Sequence, residues 1–206
     1  MPRDKSATHE KLIPIIRREF TQFGYEKASL QHIASQAGIT AAGLYRHYSS
    51  KEEMFASLVE DTVDRFLDFW DQKIDQALQI VEHENFIDEF SGYRANSRRE
   101  LIDLIYNDYD NLKLLFLKSH GTRFESFEDQ LIDREYKAIT MLLESLDRHG
   151  IPHNDITENK VHILSTTFII TLSEAIKHDY TKKEACEHLD FVSRFLVPGF
   201  REVLGF

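Results

Sequence analysis

The chain has 206 residues, 35 acidic and 25 basic, and a formal charge of −10 at pH 7. A single cysteine, Cys186, leaves no disulfide framework and no cysteine-based zinc site. Eight glycines and four prolines are too few for the turns of an all-β fold, while a hydrophobic fraction of 42% supports a core and argues against global disorder. The uncharged run Ile163–Ser173 is too short to cross a bilayer, and the N-terminal MPRDKSATHEK has no apolar signal core. A cytoplasmic protein with no membrane partner is therefore expected.

The charge is unevenly spread. Residues 1–51 carry eight Lys and Arg against four acids, a net +4, and residues 52–206 carry 17 against 31, a net −14. A basic head on an acidic body binds a polyanion locally while the body keeps the chain soluble.

In chain order, Leu12, Ile16, Phe20 and Phe23 share one helical stripe, which Gly24 ends as a C-terminal cap. Ser29 caps a short second helix with Leu30, Ile33, Ala34 and Ala37 inside, and Gly38 ends it. Thr40 caps a third short helix reaching about His47. Ser50-Lys51-Glu52-Glu53 has the form of a capping box and opens a long helix over 51–81, roughly 45 Å at 1.5 Å per residue. Further helices are predicted from about Asn85 to Tyr106 and from Asp110 to Ser119. Thr122–Glu125 matches a second capping box, leading into a helix to about His149. Thr157 to His178 follows, and a third box, Thr181–Glu184, opens a last helix that Pro198-Gly199 breaks or kinks. The fold class is all-α, about nine helices, with no convincing strand.

Residues 29–48 have the form of a helix-turn-helix. Two short helices meet at Ala37-Gly38-Ile39-Thr40, where Gly38 reaches a backbone conformation costly for other residues. Small Ala34 permits a close crossing, and the third helix offers Thr40, Ala41, Ala42 and Gly43 at the end that enters a major groove in this motif.

The stretch Gly24-Tyr25, Ser29-Leu30-Gln31-His32-Ile33-Ala34, Ala37-Gly38-Ile39-Thr40, Leu44-Tyr45-Arg46-His47-Tyr48 and Ser50-Lys51-Glu52 resembles the TetR family of transcriptional regulators over roughly residues 8–68. Pro14, Glu19 and Gly43 depart from the family's usual pattern. The resemblance implies a DNA-binding head over 1–51, the module running into the start of the long fourth helix, and a ligand-binding and dimerisation body over 52–206. It implies that Thr40 caps the recognition helix and meets a phosphate or base edge, and that Ala41 and Ala42 pack on thymine methyls. Tyr45, His47, Lys51 and Ser29 are then phosphate contacts and Arg46 the guanine reader. The partners implied are a palindromic double-stranded operator, a second copy of the chain and a small-molecule effector whose binding releases the DNA. No cofactor and no metal is implied.

In the body, Val161, Leu164, Phe168, Leu172 and Ala175 form one apolar stripe and Ile163 and Ile170 another, so this helix is expected to be buried on two sides. With Phe191 and Phe195 of the last helix, the residues Val161, Leu164, Phe168 and Leu172 are the expected homodimer interface. The resemblance implies a pocket among the middle helices. Its candidate lining is Phe66, Trp70, Phe90, Tyr93, Tyr106, Phe116, His120, Arg123, Phe127 and Phe168. A helical adaptor that reads no DNA is the main alternative, motivated by the small side chains Ala41, Ala42 and Gly43. An enzyme finds little support: His9-Glu10 and His83-Glu84 begin zinc-protease patterns, but Ile13 and Ile87 replace the second histidine.

Overall fold

The computed structural model describes residues 5–81 and 86–205, with the side chains of 11–80 and 96–205. His9, Glu10, His83 and Glu84 lie outside the described side chains. Among the described residues the regular elements are all helices, in the order α1 (Lys5–Lys27), α2 (Leu30–Gln36), α3 (Ala41–Leu44), α4 (Lys51–Val81), α5 (Phe86–Asn107), α6 (Tyr109–Lys118), α7 (Phe127–Arg148), α8 (Glu158–Lys177) and α9 (Lys182–Leu204). Two compact units divide them: residues 1–64 with 110–127, and residues 65–109 with 128–206.

In the first unit α1 buries Leu12, Ile16 and Phe20 and leaves Pro14 exposed. Gly24, at φ 73, breaks the helical path, and one more turn follows through Lys27. The rings of Phe20 and Phe55 meet edge to face at 5.2 Å between centroids, Tyr25 joins Phe55 at 5.7 Å, and Phe124 lies 6.2 Å from Phe55. Ile33, Ala34, Leu44 and Tyr48 complete this core.

The Thr122–Glu125 pattern does not cap α7. Thr122 Oγ1 accepts the Phe124 amide at 3.0 Å, and the Glu125 carboxylate accepts the Gly121 amide at 2.8 Å. Both side chains close tight turns over 119–126, and the helix starts later, at Phe127.

In the second unit α9 packs against α8 and α5. Thr181 and Glu184 form a complete capping box, and the two Thr181 donors hold the Glu184 carboxyl below its ordinary pKa. Pro198 does not end α9, which continues to Leu204. Ile139, Val161 and Leu204 make one core cluster, and Leu146 with Ile80, Leu142 and Ile151 another. The end of α9 is held by Asn154, whose amide donates to the Leu204 carbonyl at 2.8 Å and whose Nδ2 donates to those of Glu202 and Val203.

Gly205 takes φ +90 there, and an added Cβ would fall 2.8 Å from the Asn154 nitrogen. Gly205→Ala is expected to cost about 1–2 kcal/mol from the left-handed backbone, read as a lower urea midpoint. An unchanged midpoint would show that the Asn154 cap is dispensable.

Candidate nucleic-acid interface and effector cavity

The helix-turn-helix is built by its turn. The Gly38 amide donates to the Ser35 carbonyl at 3.1 Å and the Ile39 amide to that of Ala34 at 3.0 Å, with Gly38 at φ +66. That pair of bonds ends α2 in a Schellman motif, which needs a left-handed residue where Gly38 stands. Thr40 then caps α3, its Oγ1 accepting the Gly43 amide at 3.0 Å. Helix α3 is shorter than the sequence suggests: regular α-helix stops at Leu44, and Arg46 and His47 donate to carbonyls three residues back.

The start of α2 is held by a residue whose role the sequence did not reveal. Glu19 is only 5% exposed, and its carboxylate accepts the Ser29 amide at 2.8 Å and meets His32 Nδ1 at 2.6 Å. Ser29 Oγ accepts the His32 amide at 3.3 Å. A carboxylate at a helix N-terminus satisfies donors that have no helical partner and sits favourably in the helix dipole. Glu19→Ala is expected to destabilise the head by about 1 kcal/mol, the scale of a lost N-cap. A thermal melt checks this, and an unchanged melting temperature would show that the carboxylate holds nothing.

Around this frame Ser29, Thr40, Ala42, Tyr45 and Arg46 are exposed, Tyr45 by 51%, while Ala41, Gly43 and His47 are half-buried. Leu44 and Tyr48 turn inward, and burial raises the Tyr48 phenol above its usual pKa. Packing does not demand a glycine at position 43. The nearest atoms a Cβ there would meet are Thr40 Oγ1 and those of Ile39, at 3.4 Å or more. Lys51 is half-buried, its Nζ donating to the Glu26 carbonyl at 3.0 Å and lying 4.8 Å from the Tyr25 ring centroid. Desolvation lowers its pKa, with Glu19 and Glu26 opposing.

His120 and Arg123 belong to this first unit, and neither lines the cavity described below. His120 is 82% exposed beside Glu125 and Glu26. Arg123 ties the 119–126 turn to α4: its amide donates to Glu52 at 2.8 Å, and its guanidinium pairs with Glu60 and lies 3.5 Å from Glu53. Glu60 and Glu53 raise the guanidinium pKa, the hydrogen bond that Arg123 donates to Glu60 contributing most.

The second unit holds a cavity of about 330 Å³. Trp70 and Phe168 line it, with Phe69, Leu172, Val192 and Phe200 among the other apolar walls. Three other aromatic candidates with described side chains are placed elsewhere, as is Phe127. Phe66 is core at 2% exposure, Phe116 packs edge to face on Phe127 at 5.5 Å, and Tyr106 stacks on Tyr109 and donates to the Tyr180 carbonyl at 2.6 Å. Phe90 and Tyr93 lie outside the described side chains. Among the described residues no group of three or more His, Cys, Asp or Glu is placed to hold a metal, and no helix is long and apolar enough to cross a membrane.

The two apolar stripes of α8 divide. Val161 and Leu172 are 4% and 6% exposed, so they serve their own unit's core, and Leu164 and Phe168 are half-buried. The outward stripe is Ile163 and Ile170, 61% and 43% exposed, with Phe191 and Phe195 of α9 at 66% and 71%.

Residues 16–58 match the model of the bacterial regulatory proteins, tetR family. The transcriptional repressor KstR2 of Mycolicibacterium smegmatis is 25% identical over 107 residues, which are 52% of each chain. The chain thus spans about half the length of that curated relative. A TetR-family regulator from Syntrophomonas wolfei superposes with a TM-score of 0.53 at 15% identity, over 94% of this chain and 97% of that one. The SmeT–triclosan complex superposes with a TM-score of 0.52 at 16% identity, over 91% and 90%. On the helix-turn-helix geometry and these likenesses together, residues 16–58 are similar to the bacterial regulatory proteins of the tetR family, and the chain shares the fold of the solved TetR-family structures.

Proposed function

We propose that the protein is a homodimeric transcriptional repressor that grips a palindromic operator with α3 and lets go when a small molecule fills the cavity of the second unit. The observation that carries this reading is the segment 40–47. A glycine-ended α2 and a threonine-capped α3 present Thr40, Ala42, Tyr45 and Arg46 to solvent on a rigid frame. Tyr45, Arg46 and Ser29 supply phosphate and base-edge donors, joined by Thr40, His47 and the ammonium of Lys51. Ala41, Ala42 and Gly43 let the backbone approach the groove closely. The resemblance to the repressor KstR2 supports the sign of regulation.

The release mechanism is a population shift. Helix α4 supplies cavity-wall residues Trp70 and Ile74 and, nearer its start, Lys51 and the glutamates that Arg123 holds. A ligand that fits only one setting of α4 biases the head by its difference in affinity for the two settings. The likeness to SmeT, solved with triclosan, supports a small molecule in this role.

Ile163, Ile170, Phe191 and Phe195 are large apolar side chains left exposed on α8 and α9, and they support pairing with a second copy. Phe191→Asp with Phe195→Asp is expected to convert the dimer to monomer in sedimentation velocity and to weaken operator binding. An unchanged sedimentation coefficient would place the interface elsewhere.

Selection of binding sites from a randomised duplex pool tests the whole reading. Inverted repeats with half-site centres roughly one turn, 34–36 Å, apart are expected. Absence of enrichment, or a single unrepeated half-site, would contradict it.

A further inference from the structure

The cavity wall is apolar over most of its extent, yet three cationic side chains reach it. Lys73, Arg98 and Arg201 line it, against one carboxylate, Glu135, among the described residues. A cation on an apolar wall is costly unless something answers its charge. Two of the three are answered from outside the cavity. Lys73 Nζ lies 2.5 Å from Glu100, and Arg98 Nη1 lies 2.7 Å from Asp190. These carboxylates are 55% and 63% exposed, and neither lines the cavity. Ion pairs with so solvated an acid hold weakly. The wall's own carboxylate is engaged, since Glu135 Oε2 accepts the Trp70 indole N–H at 3.3 Å.

One aromatic wall, Phe69, already faces a cation. Lys73 Nζ lies 5.4 Å from the Phe69 ring centroid, so the protein's own ammonium faces that ring. A positively charged ligand would meet three cationic side chains, two of them paired with solvated carboxylates. An anionic one would gain a charge-assisted hydrogen bond from a guanidinium whose fork geometry suits a carboxylate.

Resting on the reading of this cavity as the effector site, we propose that the effector is an amphipathic monoanion. Its apolar body lies against Trp70, Phe168 and Leu172, and its carboxylate is received by Arg98, with Arg201 and Lys73 adding to the positive field. A volume of about 330 Å³ is near the lower end of ligand cavities, so the apolar body is small.

Trp70 is the chain's one tryptophan, so its emission reports on the cavity without any DNA present. The probes are decanoate, decanol and decyltrimethylammonium, titrated below micelle-forming concentrations. Decanoate is expected to shift Trp70 emission at a concentration at least about tenfold lower than the ammonium compound. Arg98→Gln is expected to weaken decanoate about tenfold and leave decanol unchanged, which also shows that the variant is folded. Arg201→Gln serves the same comparison if Arg98→Gln fails to fold.

Equal or tighter binding of the ammonium compound overturns the proposal. So does an emission that no probe moves, or an equal loss of decanoate and decanol in the variant. Operator binding without a decanoate response would sink this proposal and leave the regulator standing. A decanoate response without operator binding would do the reverse.

Discussion

Replacing Phe55 by alanine is expected to lower the unfolding free energy of the protein by about 3–5 kcal/mol, the usual cost of emptying a buried phenylalanine site. Phe55 is fully buried, and its ring is shared by Phe20 and Tyr25 of α1 and by Phe124 of the 119–126 turn. None of those rings can collapse into the space without leaving its own partners, so the cavity would persist. Urea unfolding followed by circular dichroism measures the loss. A change below about 1 kcal/mol would mean that the site closes by relaxation. The 119–126 turn would then not belong to the core of the first unit. The same variant should lose DNA binding, because α2 and α3 rest on that core.

The second large effect is on recognition. Arg46→Ala is expected to weaken operator binding by about 1–3 kcal/mol, roughly fivefold to over a hundredfold, and to relax the preference for guanine at one position of each half-site. Arg46 is exposed, so stability should not change. Fluorescence anisotropy on operators varied at that position separates two outcomes. A loss confined to guanine sites marks a base reader. A uniform loss across all sequences, with a flatter salt dependence, marks a phosphate contact.

Much of the head was legible because its signals are local. The Ser50 cap and the apolar spacing beyond it define α4, found as Lys51–Val81, and Gly38 takes the left-handed backbone its place in the turn requires. Thr181 to Glu184 is a full capping box for the same reason: both partners sit within four residues. The identical spacing at Thr122 to Glu125 misleads. Pattern alone does not say whether the chain beyond it continues as helix, and here it closes into turns first.

What stayed hidden depends on distant partners. Glu19 looks like a misplaced acid until folding brings the Ser29 amide and His32 to it. Arg123 looks like a ligand contact until Glu52, 71 residues earlier in the chain, is found holding its amide. Aromatic content likewise marks a well-packed body without saying which rings face a void. Trp70 and Phe168 do, whereas Phe116 and Phe127 pack edge to face on one another. On α8 two stripes were readable, and only the packing of α9 and of Ile139 against the helix decides that Ile163 and Ile170 are the pair left facing outward.

The most direct test of the central claim is an anisotropy titration of the purified protein against the DNA immediately upstream of its own gene, repeated at several salt concentrations. The account predicts tight binding with two subunits per site, an affinity that falls steeply and linearly with the logarithm of salt, and release on adding the effector. Affinity independent of salt, or no binding even at low salt in a sample shown by mass spectrometry to carry no co-purified ligand, would contradict it.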